Sequence, residues 1–451
     1  MEWKRNKFYN WQPKKEIISN YFINNSEPIE YWGKEKIKEY QMKALQETVI
    51  HSLHNNKYYK KKIQDAEILC NEDFSIEKFN NIECISKDEL IKEPYLLLST
   101  PKEEIAQIFL STGTTSKEHI YVSHTWDDLF LNDLSVEMPF LFPISEQDIV
   151  GVALPYEMSS SGLSYHRVLQ DGMGAAVVSL GKGGAYSTPE KTLKAMKELE
   201  INVVITSPSY IMYLFEVSLS LNINFMRDLN VSTIWLTGEG CSDAFRKRIE
   251  KLCGCKAYFY YGSLECGPIG IECSEQDGYH ITSGHVYVEI LDTVSNKILA
   301  PGEIGEIVIT TLLKDGTPFI RYRTQDTGYF EVDECSCGTK LAKLYLRGRE
   351  SEQLKIDNSL YSPYYIEENL MKINEVGNNY RFLVYDNLLL VEIEINKDMK
   401  EASEIEELIS SKLEYSCGVP NIIKIVDSIG YDGTKVKRVI KMGKPYKEEV
   451  L

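Results

Sequence analysis

The chain has 451 residues, with 50 Lys and Arg against 67 Asp and Glu, a net charge of −17 at neutral pH. At 43% hydrophobic and 26% charged residues it is an ordinary globular composition, neither disordered nor fibrous, and its length calls for two or more domains. The acidic balance argues against broad binding of a nucleic-acid backbone, which needs a basic surface, though a local basic pocket for an anionic ligand remains compatible with it.

No uninterrupted apolar stretch approaches the roughly 20 residues of a spanning helix, and no apolar run of signal length follows the basic start MEWKRNKFYNWQPKK. The expectation is a cytoplasmic protein without membrane contact. Its ten cysteines are then thiols or ligands, not a disulfide framework.

Residues 33–62 read as one long amphipathic helix, with Tyr40, Leu45, Val49 and Leu53 near helical spacing. From about Ile105 short apolar runs alternate with helical stretches: IAQIFL, DIVGVALP, GAAVVSLG, INVVITSP and VSTIWLTG, most of them closed by Gly, Pro or Ser. Between two of them TPEKTLKAMKELE predicts a helix with Thr188 as N-cap and Pro189 at its first position. Such repetition predicts an α/β domain with a largely parallel sheet. Between about 285 and 349 the runs alternate apolar and polar, which predicts a smaller antiparallel β region. After Gly348 and Arg349 the pattern predicts a compact α+β lobe: two strands in 380–396, a helix in 401–415 and two more strands in 421–442.

Three local patterns carry chemistry. Ser111 to Lys117, STGTTSK, follows an apolar run; its hydroxyls, glycine and lysine suit a phosphate, although the spacing is not that of a Walker A loop. Taken alone it reads equally as a polar turn. Tyr261 to Glu265, YGSLE, follows the apolar AYFY, and Thr237 to Gly240, TGEG, closes an earlier strand. A carboxylate at such a strand end sits where α/β folds bind ligands, and a glutamate there can hold Mg²⁺ bridged to phosphates. Arg321 to Gly328, RYRTQDTG, and then Gly348-Arg349 offer an aspartate for ribose hydroxyls and arginines for hydroxyl or phosphate.

Occurring together and in this order, these segments resemble the core motifs of adenylate-forming enzymes, the superfamily of acyl-CoA synthetases, peptide-synthetase adenylation domains and luciferases. More narrowly, the chain resembles the phenylacetate-CoA ligase family. The matching stretches are LQETVIHSLHNNKYYKKK, STGTTSK, TSPSYIMYL, TGEG, YYGSLECGP, GEIGEIVITTLLKDGTPFIRYRTQDTG and CSCGT before GRESEQLKID. They cover nearly the whole chain, and the run from Gly302 to Gly328 is the most family-specific.

The resemblance implies a large N-terminal adenylate-forming domain, residues 1–349, and a small mobile C-terminal lid, residues 350–451. It places Ser111, Thr112, Gly113, Thr114, Thr115 and Lys117 on the β- and γ-phosphates of ATP. Gly238 and Glu239 match the adenine-side segment, and Tyr261 and Gly262 the floor between adenine and acyl pocket. Glu265 matches the Mg²⁺ carboxylate, Asp326 the ribose ligand and Arg349 the arginine that reaches ribose near the hinge. Within GTKVKR, Lys435 matches the lysine that bridges carboxylate and phosphate during adenylation, with Lys437 as the alternative. The acyl pocket falls on 153–166 and 207–212, where Tyr156, Ser161, Tyr165, His166 and Ser207 favour an aromatic or otherwise flat, small acid. His166 reads equally as a core histidine.

The chain departs from the family at several of these positions. Leu264 stands where Ser or Thr usually precedes the Mg²⁺ glutamate, with Ser263 one position early. Ser116 and Glu118 replace Gly and Pro, Ser351 occupies a hinge position that is often Asp, and Asp357-Asn358 replaces an Arg-Gly pair.

A second constellation, Cys273 with His280 and Cys335 with Cys337, is a sufficient ligand set for tetrahedral structural Zn²⁺. Cys253 and Cys255 are competing ligands or packing residues. Cys266, next to Glu265, is a reactive thiol or a small packed hydrophobe.

The function implied is an ATP-dependent acid ligase that forms an acyl-adenylate and passes the acyl group to a thiol. That thiol belongs to CoA or to the phosphopantetheine arm of an acyl carrier protein. Arg321, Arg323, Arg347 and Arg349 form a patch suited to CoA phosphates. The alternatives are an amide ligase with an amine acceptor, or a degenerate non-catalytic homologue that binds nucleotide. A homodimer is the family expectation.

Overall fold

The computed structural model describes residues 13–446, apart from 26, 111–118, 135–139, 159, 350–351, 396–401 and 431–437, with the side chains of 133–134 and 402 also left aside. The chain divides into two compact units. The first comprises Met1–Gly181, Ile201–Ile205 and Tyr258–Arg347; the second comprises Lys182–Glu200, Thr206–Ala257 and Gly348–Leu451. No helix among the described residues is long and apolar enough to cross a membrane.

In the first unit the expected long helix is two helices, Lys34–Asn55 and Lys57–Asp65. The break is made by Asn56. Its extended backbone leaves the helix, its Oδ1 accepts the Tyr59 N–H at 2.9 Å, and its Nδ2 donates to the Leu96 and Leu98 carbonyls at 3.0 Å each. A buried polar side chain with every bond filled outweighs helical continuity there. The first helix buries Tyr40, Leu45, Val49 and Leu53, as its spacing predicts.

The expected antiparallel region is present. Strand Val286–Leu291 pairs antiparallel with Gly305–Thr311, and Gly305–Thr311 with Tyr322–Glu331. Strand Gly267–Glu272 pairs antiparallel with Lys256–Ser263 on one side and Tyr279–Ile281 on the other, and the last of these with Lys343–Arg349. A parallel pair, Ile149–Ala153 and Ala176–Ser179, supplies the α/β character of this unit. The run IAQIFL does not join a parallel sheet. Its residues Gln107–Leu110 form an antiparallel hairpin with Tyr121–His124.

In the second unit, helix Pro189–Glu198 begins as expected, with Thr188 Oγ1 accepting the Lys191 N–H and Pro189 in the first turn. Helix Asp243–Cys253 starts at Ser242 and stops at Gly254, whose φ of +71° suits a residue without Cβ. The C-terminal portion holds the expected α+β pattern. Its four-stranded sheet pairs Val376–Val384 antiparallel with Leu389–Ile395, adds Asn421–Ile425 parallel to the latter and Val439–Lys441 parallel to the former. Helix Ala402–Cys417 buries Ile405, Ile409 and Leu413 at helical spacing, and helix Pro363–Met371 buries Ile366 and Leu370.

Candidate active site

Tyr261 and Asp326, far apart in sequence, meet in the first unit. The Tyr261 hydroxyl donates to Asp326 Oδ2 at 2.5 Å. Asp326 stands beside an irregularity of its strand. Gln325 has φ +64°, and the pairing with Gly305–Thr311 shifts between Glu306 and Val308. A bulge of this kind re-aims one side chain out of the regular alternation.

Glu265 lies in the turn between Lys256–Ser263 and Gly267–Glu272. The turn is tightly built. The Cys266 N–H donates to Ser263 Oγ at 3.0 Å, and Gly267 has φ +73°. A Cβ on Gly262 would come within 2.8 Å of the Gly267 carbonyl oxygen, so only glycine fits. Ser263 Oγ thereby caps the turn as an acceptor. The Glu265 carboxylate is approached by the Tyr322 hydroxyl at 3.5 Å, and its main-chain carbonyl accepts from Lys314 Nζ at 3.2 Å. Burial, and secondarily the neighbouring Glu265, pushes the Cys266 thiol up to about 12. It is a packed thiol and not a thiolate.

His166 is held in a polar cluster: its Nδ1 lies 3.3 Å from the Tyr156 hydroxyl and 3.2 Å from Ser179 Oγ. Tyr165 is buried edge-on against Tyr260, with ring centroids 5.1 Å apart, and Ser161 Oγ lies 3.5 Å from the Pro155 carbonyl. Gly162 is required here, because a Cβ would meet the same Pro155 oxygen at 2.5 Å.

The four expected metal ligands converge. The donor atoms of Cys273, His280, Cys335 and Cys337 all lie within 4.8 Å of one another. Cys273 Sγ and Cys335 Sγ are 3.8 Å apart, and Cys337 Sγ is 3.5 Å from His280 Nε2. A tetrahedron with Zn–S near 2.3 Å and Zn–N near 2.0–2.1 Å has edges of about 3.8 and 3.5 Å, the two distances found here, with every other donor pair within 4.8 Å. His280 Nδ1 lies 3.2 Å from the Leu341 carbonyl, which fixes the tautomer that presents the Nε2 lone pair. The Cys335 carbonyl accepts the Gly338 N–H at 3.0 Å, and Gly338 at φ +96° turns the chain back beneath the ligands. Cys253 and Cys255 are not in this cluster.

The basic patch expected for CoA phosphates is not available as written. Arg321 is buried and forks onto Glu289, with Nε and Nη2 donating at 3.1 and 3.0 Å, while Nη1 reaches the carbonyls of Asn80 and Ile82. Arg323 is paired with Glu306 through Nε at 2.8 Å and Nη2 at 2.5 Å. Both are structural ion pairs. Arg347 lies over the Tyr329 ring at 5.2 Å.

In the second unit Glu239 is half-buried in a network that sequence reasoning only half saw. Lys182 Nζ donates to Glu239 Oε1 at 3.0 Å, Ser209 Oγ donates to the same oxygen at 2.8 Å, and Ser207 Oγ lies 3.3 Å from Ser209 Oγ. Burial works to raise the Glu239 pKa, but the Lys182 and Arg438 charges outweigh it and hold the carboxyl below its usual range. Lys182 stands among glycines in GKGG, a weak local signal. Gly238 has φ +78°, and Gly240 and Gly348 both lie against the Tyr364 ring, where a Cβ would come within 3 Å. Arg349 is exposed and faces Glu352 at 4.0 Å. Ser111, Thr112, Gly113, Thr114, Thr115, Lys117, Ser351, Lys435 and Lys437 lie outside the described residues.

The family model for AMP-binding enzymes matches residues 35–312. The phenylacetate-coenzyme A ligase of Pseudomonas putida is 26% identical over 391 residues, which cover 84% of this chain and 86% of that protein. The protein of the same name from Thermus thermophilus is 26% identical over 379 residues, covering 83% and 84%. Among solved structures, 2-hydroxyisobutyryl-CoA ligase in its postadenylation state with 2-HIB-AMP matches with a TM-score of 0.83 at 20% identity over 91% of each chain. A benzoate CoA ligase from Burkholderia xenovorans LB400 matches at 0.55 and 17%, over 74% of this chain and 68% of that one. At those identities the structures speak for the fold. The family model spans well over half of the chain, and the motif order, the fold and the full-length relatives agree with it: the chain belongs to the AMP-binding enzyme family, on the side of the phenylacetate-CoA ligases.

Proposed function

We propose that this chain is an AMP-forming acid–thiol ligase of the cytoplasm, taking a small aromatic or otherwise flat carboxylic acid and CoA. A carboxylate oxygen attacks the α-phosphorus of ATP and pyrophosphate leaves. The CoA thiol then attacks the acyl carbonyl and AMP leaves. Carboxylate and triphosphate repel each other, so the chemistry requires fixed positive charge. Lys117 and Lys435 supply it in this reading, the latter from a lid of residues 350–451.

The observation that carries the reading is the Tyr261–Asp326 hydrogen bond at 2.5 Å, which joins two of the motifs on which the family likeness rests. Asp326 accepts the ribose hydroxyls, Arg349 reaches ribose, and Gly238 and Glu239 border adenine. Glu265 would hold Mg²⁺, whose chemistry is to neutralise the phosphates of ATP. Cys273, His280, Cys335 and Cys337 would hold a structural Zn²⁺ that closes the antiparallel region. Tyr156, Ser161, Tyr165, His166 and Ser207 shape the acid's surroundings.

Acid-dependent ATP–pyrophosphate exchange over a panel of aryl, amino and short alkyl acids tests this, with Lys435→Ala and Asp326→Ala as controls. Exchange driven by one acid class and lost in both variants is the expected result. Exchange that ignores added acid, or that survives Lys435→Ala undiminished, sinks the proposal.

A further inference from the structure

Lys314 is a buried cation that forms no close ion pair among the described residues. Its side chain is enclosed, its ammonium donates to the Glu265 main-chain carbonyl at 3.2 Å, and it lies 5.5 Å from the centre of the Phe319 ring. An ammonium has three N–H donors, and one carbonyl and an aromatic face leave it under-satisfied. Asp128, the acid that acts most strongly on it, does so from beyond hydrogen-bond distance, and its oxygens are occupied by the backbone. Its Oδ1 accepts the Asp315 N–H at 2.7 Å, and its Oδ2 accepts the N–H groups of Thr125 and Gly316 at 2.9 Å each. Burial accordingly pulls the Lys314 pKa below its ordinary value, with Asp128, Cys266 and Glu265 acting against it.

The position of Lys314 is fixed from both sides. Thr317 Oγ1 accepts the Ser123 N–H at 2.9 Å, and Gly316 passes so close to Ser123 that a Cβ would meet its carbonyl oxygen. These bonds tie the segment 314–317 to strand Tyr121–His124, which leads directly out of residues 111–118. On that strand His124 Nε2 is also buried without a hydrogen-bond partner among the described residues, and burial, with the charges of Lys314 and Arg167, holds its pKa well below the ordinary value. Among the described residues, two groups with unfilled donor capacity thus stand on segments tied to each other, Lys314 at the turn of Glu265 and His124 on strand Tyr121–His124. A buried unpaired charge is costly unless something supplies its counter-ion.

We propose that Lys314 is a binding residue for the phosphate oxyanions of ATP and pyrophosphate, and that its bond to the Glu265 carbonyl positions that turn against the same phosphates. His124, as the Nε2–H tautomer, adds a neutral donor. The proposal rests on the ligase reading above, and it adds two residues to the phosphate side of the site that the motifs do not name.

The test is calorimetric binding of Mg·ATP, and separately of Mg·pyrophosphate, to the full chain and to Lys314→Met, Lys314→Gln, Lys314→Arg and His124→Phe, with unfolding midpoints of the ligand-free proteins. Lys314→Met and Lys314→Gln are expected to weaken both ligands at least about tenfold, with unfolding midpoints unchanged or raised, because an uncompensated buried charge has been removed. Lys314→Arg is expected to restore most of the affinity, and His124→Phe to cost about two- to fivefold. Wild-type affinity in a folded Lys314→Met or Lys314→Gln protein overturns the proposal and leaves the ligase reading intact. So does a fall in stability with no change in affinity, which is the mark of a purely structural lysine. A wild-type chain that binds neither Mg·ATP nor Mg·pyrophosphate overturns the ligase reading itself.

Discussion

Two buried cations on neighbouring turns of the chain, Arg321 and Lys314, have opposite surroundings. Arg321 holds Glu289 with a two-pronged fork and turns its remaining donors to the Asn80 and Ile82 carbonyls, so that its charge and geometry are met within the protein. It does this even at φ +51°, a conformation that a non-glycine residue keeps only when its surroundings over-determine it. Lys314 has one carbonyl and a ring face. The first arrangement is complete and builds the fold; the second is incomplete and awaits a ligand. Fully satisfied buried charges are evidence of architecture, and unsatisfied ones are evidence of a site.

The largest effect that can break this contrast is Arg321→Met. Removing one partner of a buried ion pair strands Glu289, already pushed up by burial, and is expected to cost about 3–5 kcal/mol in chemical denaturation. A loss under about 1 kcal/mol would erase the distinction. Next comes the metal cluster, another complete arrangement if zinc fills it. Elemental analysis is expected to find about one zinc per chain, and Cys335→Ser to release it with a drop in unfolding midpoint second only to Arg321→Met. A folded, as-purified chain free of metal would refute the zinc assignment.

A smaller effect is expected at Tyr261→Phe, which removes the hydroxyl donated to Asp326. A hydrogen bond to a charged group is worth about 1.5–3 kcal/mol of stability, so the unfolding midpoint should fall, and the KM for ATP in the exchange assay should rise because Asp326 loses the group that orients it. An unchanged KM would show that the Tyr261 hydroxyl does not position Asp326 for the nucleotide.

Lys182→Met acts on pH dependence. In the folded protein Glu239 titrates below its ordinary 4.5, because Lys182 and Arg438 outweigh the burial that would raise it. A carboxyl depressed by folding lends stability above its unfolded pKa and loses it as the pH falls through the folded one. Without Lys182, burial gains the upper hand and the Glu239 pKa rises, so the acid-side loss of stability should begin at a higher pH than in the wild type. Coincident stability–pH curves for the two proteins would show that Lys182 is not what holds Glu239 ionised.

Much of this molecule was legible locally. Thr188 and Pro189 start their helix where propensity places them, because a cap and a first-turn proline depend on residues within one turn. The antiparallel region and the C-terminal α+β pattern follow from alternation, which is likewise a short-range property. The cysteine and histidine types were visible too, and so was the order of the nucleotide motifs.

What the chain could not disclose by itself depends on partners remote in sequence. RYRTQD offers two arginines and an aspartate in one short run, yet the arginines are bound by Glu289 and Glu306 while Asp326 meets Tyr261. Local spacing assigned all of them to ligands, because it cannot say which carboxylate a strand will find across the sheet. Asn56 breaks a helix that its neighbours favour, for the sake of two carbonyls at Leu96 and Leu98. Lys182 becomes the partner of Glu239, and Lys314 the neighbour of Glu265, only when loops distant in sequence close on one another. Sequence determined which residue types were available and the elements that carry them. Tertiary structure decided which charges were neutralised, since pairing energy depends on distance and burial in space and neither is written in the order of the residues.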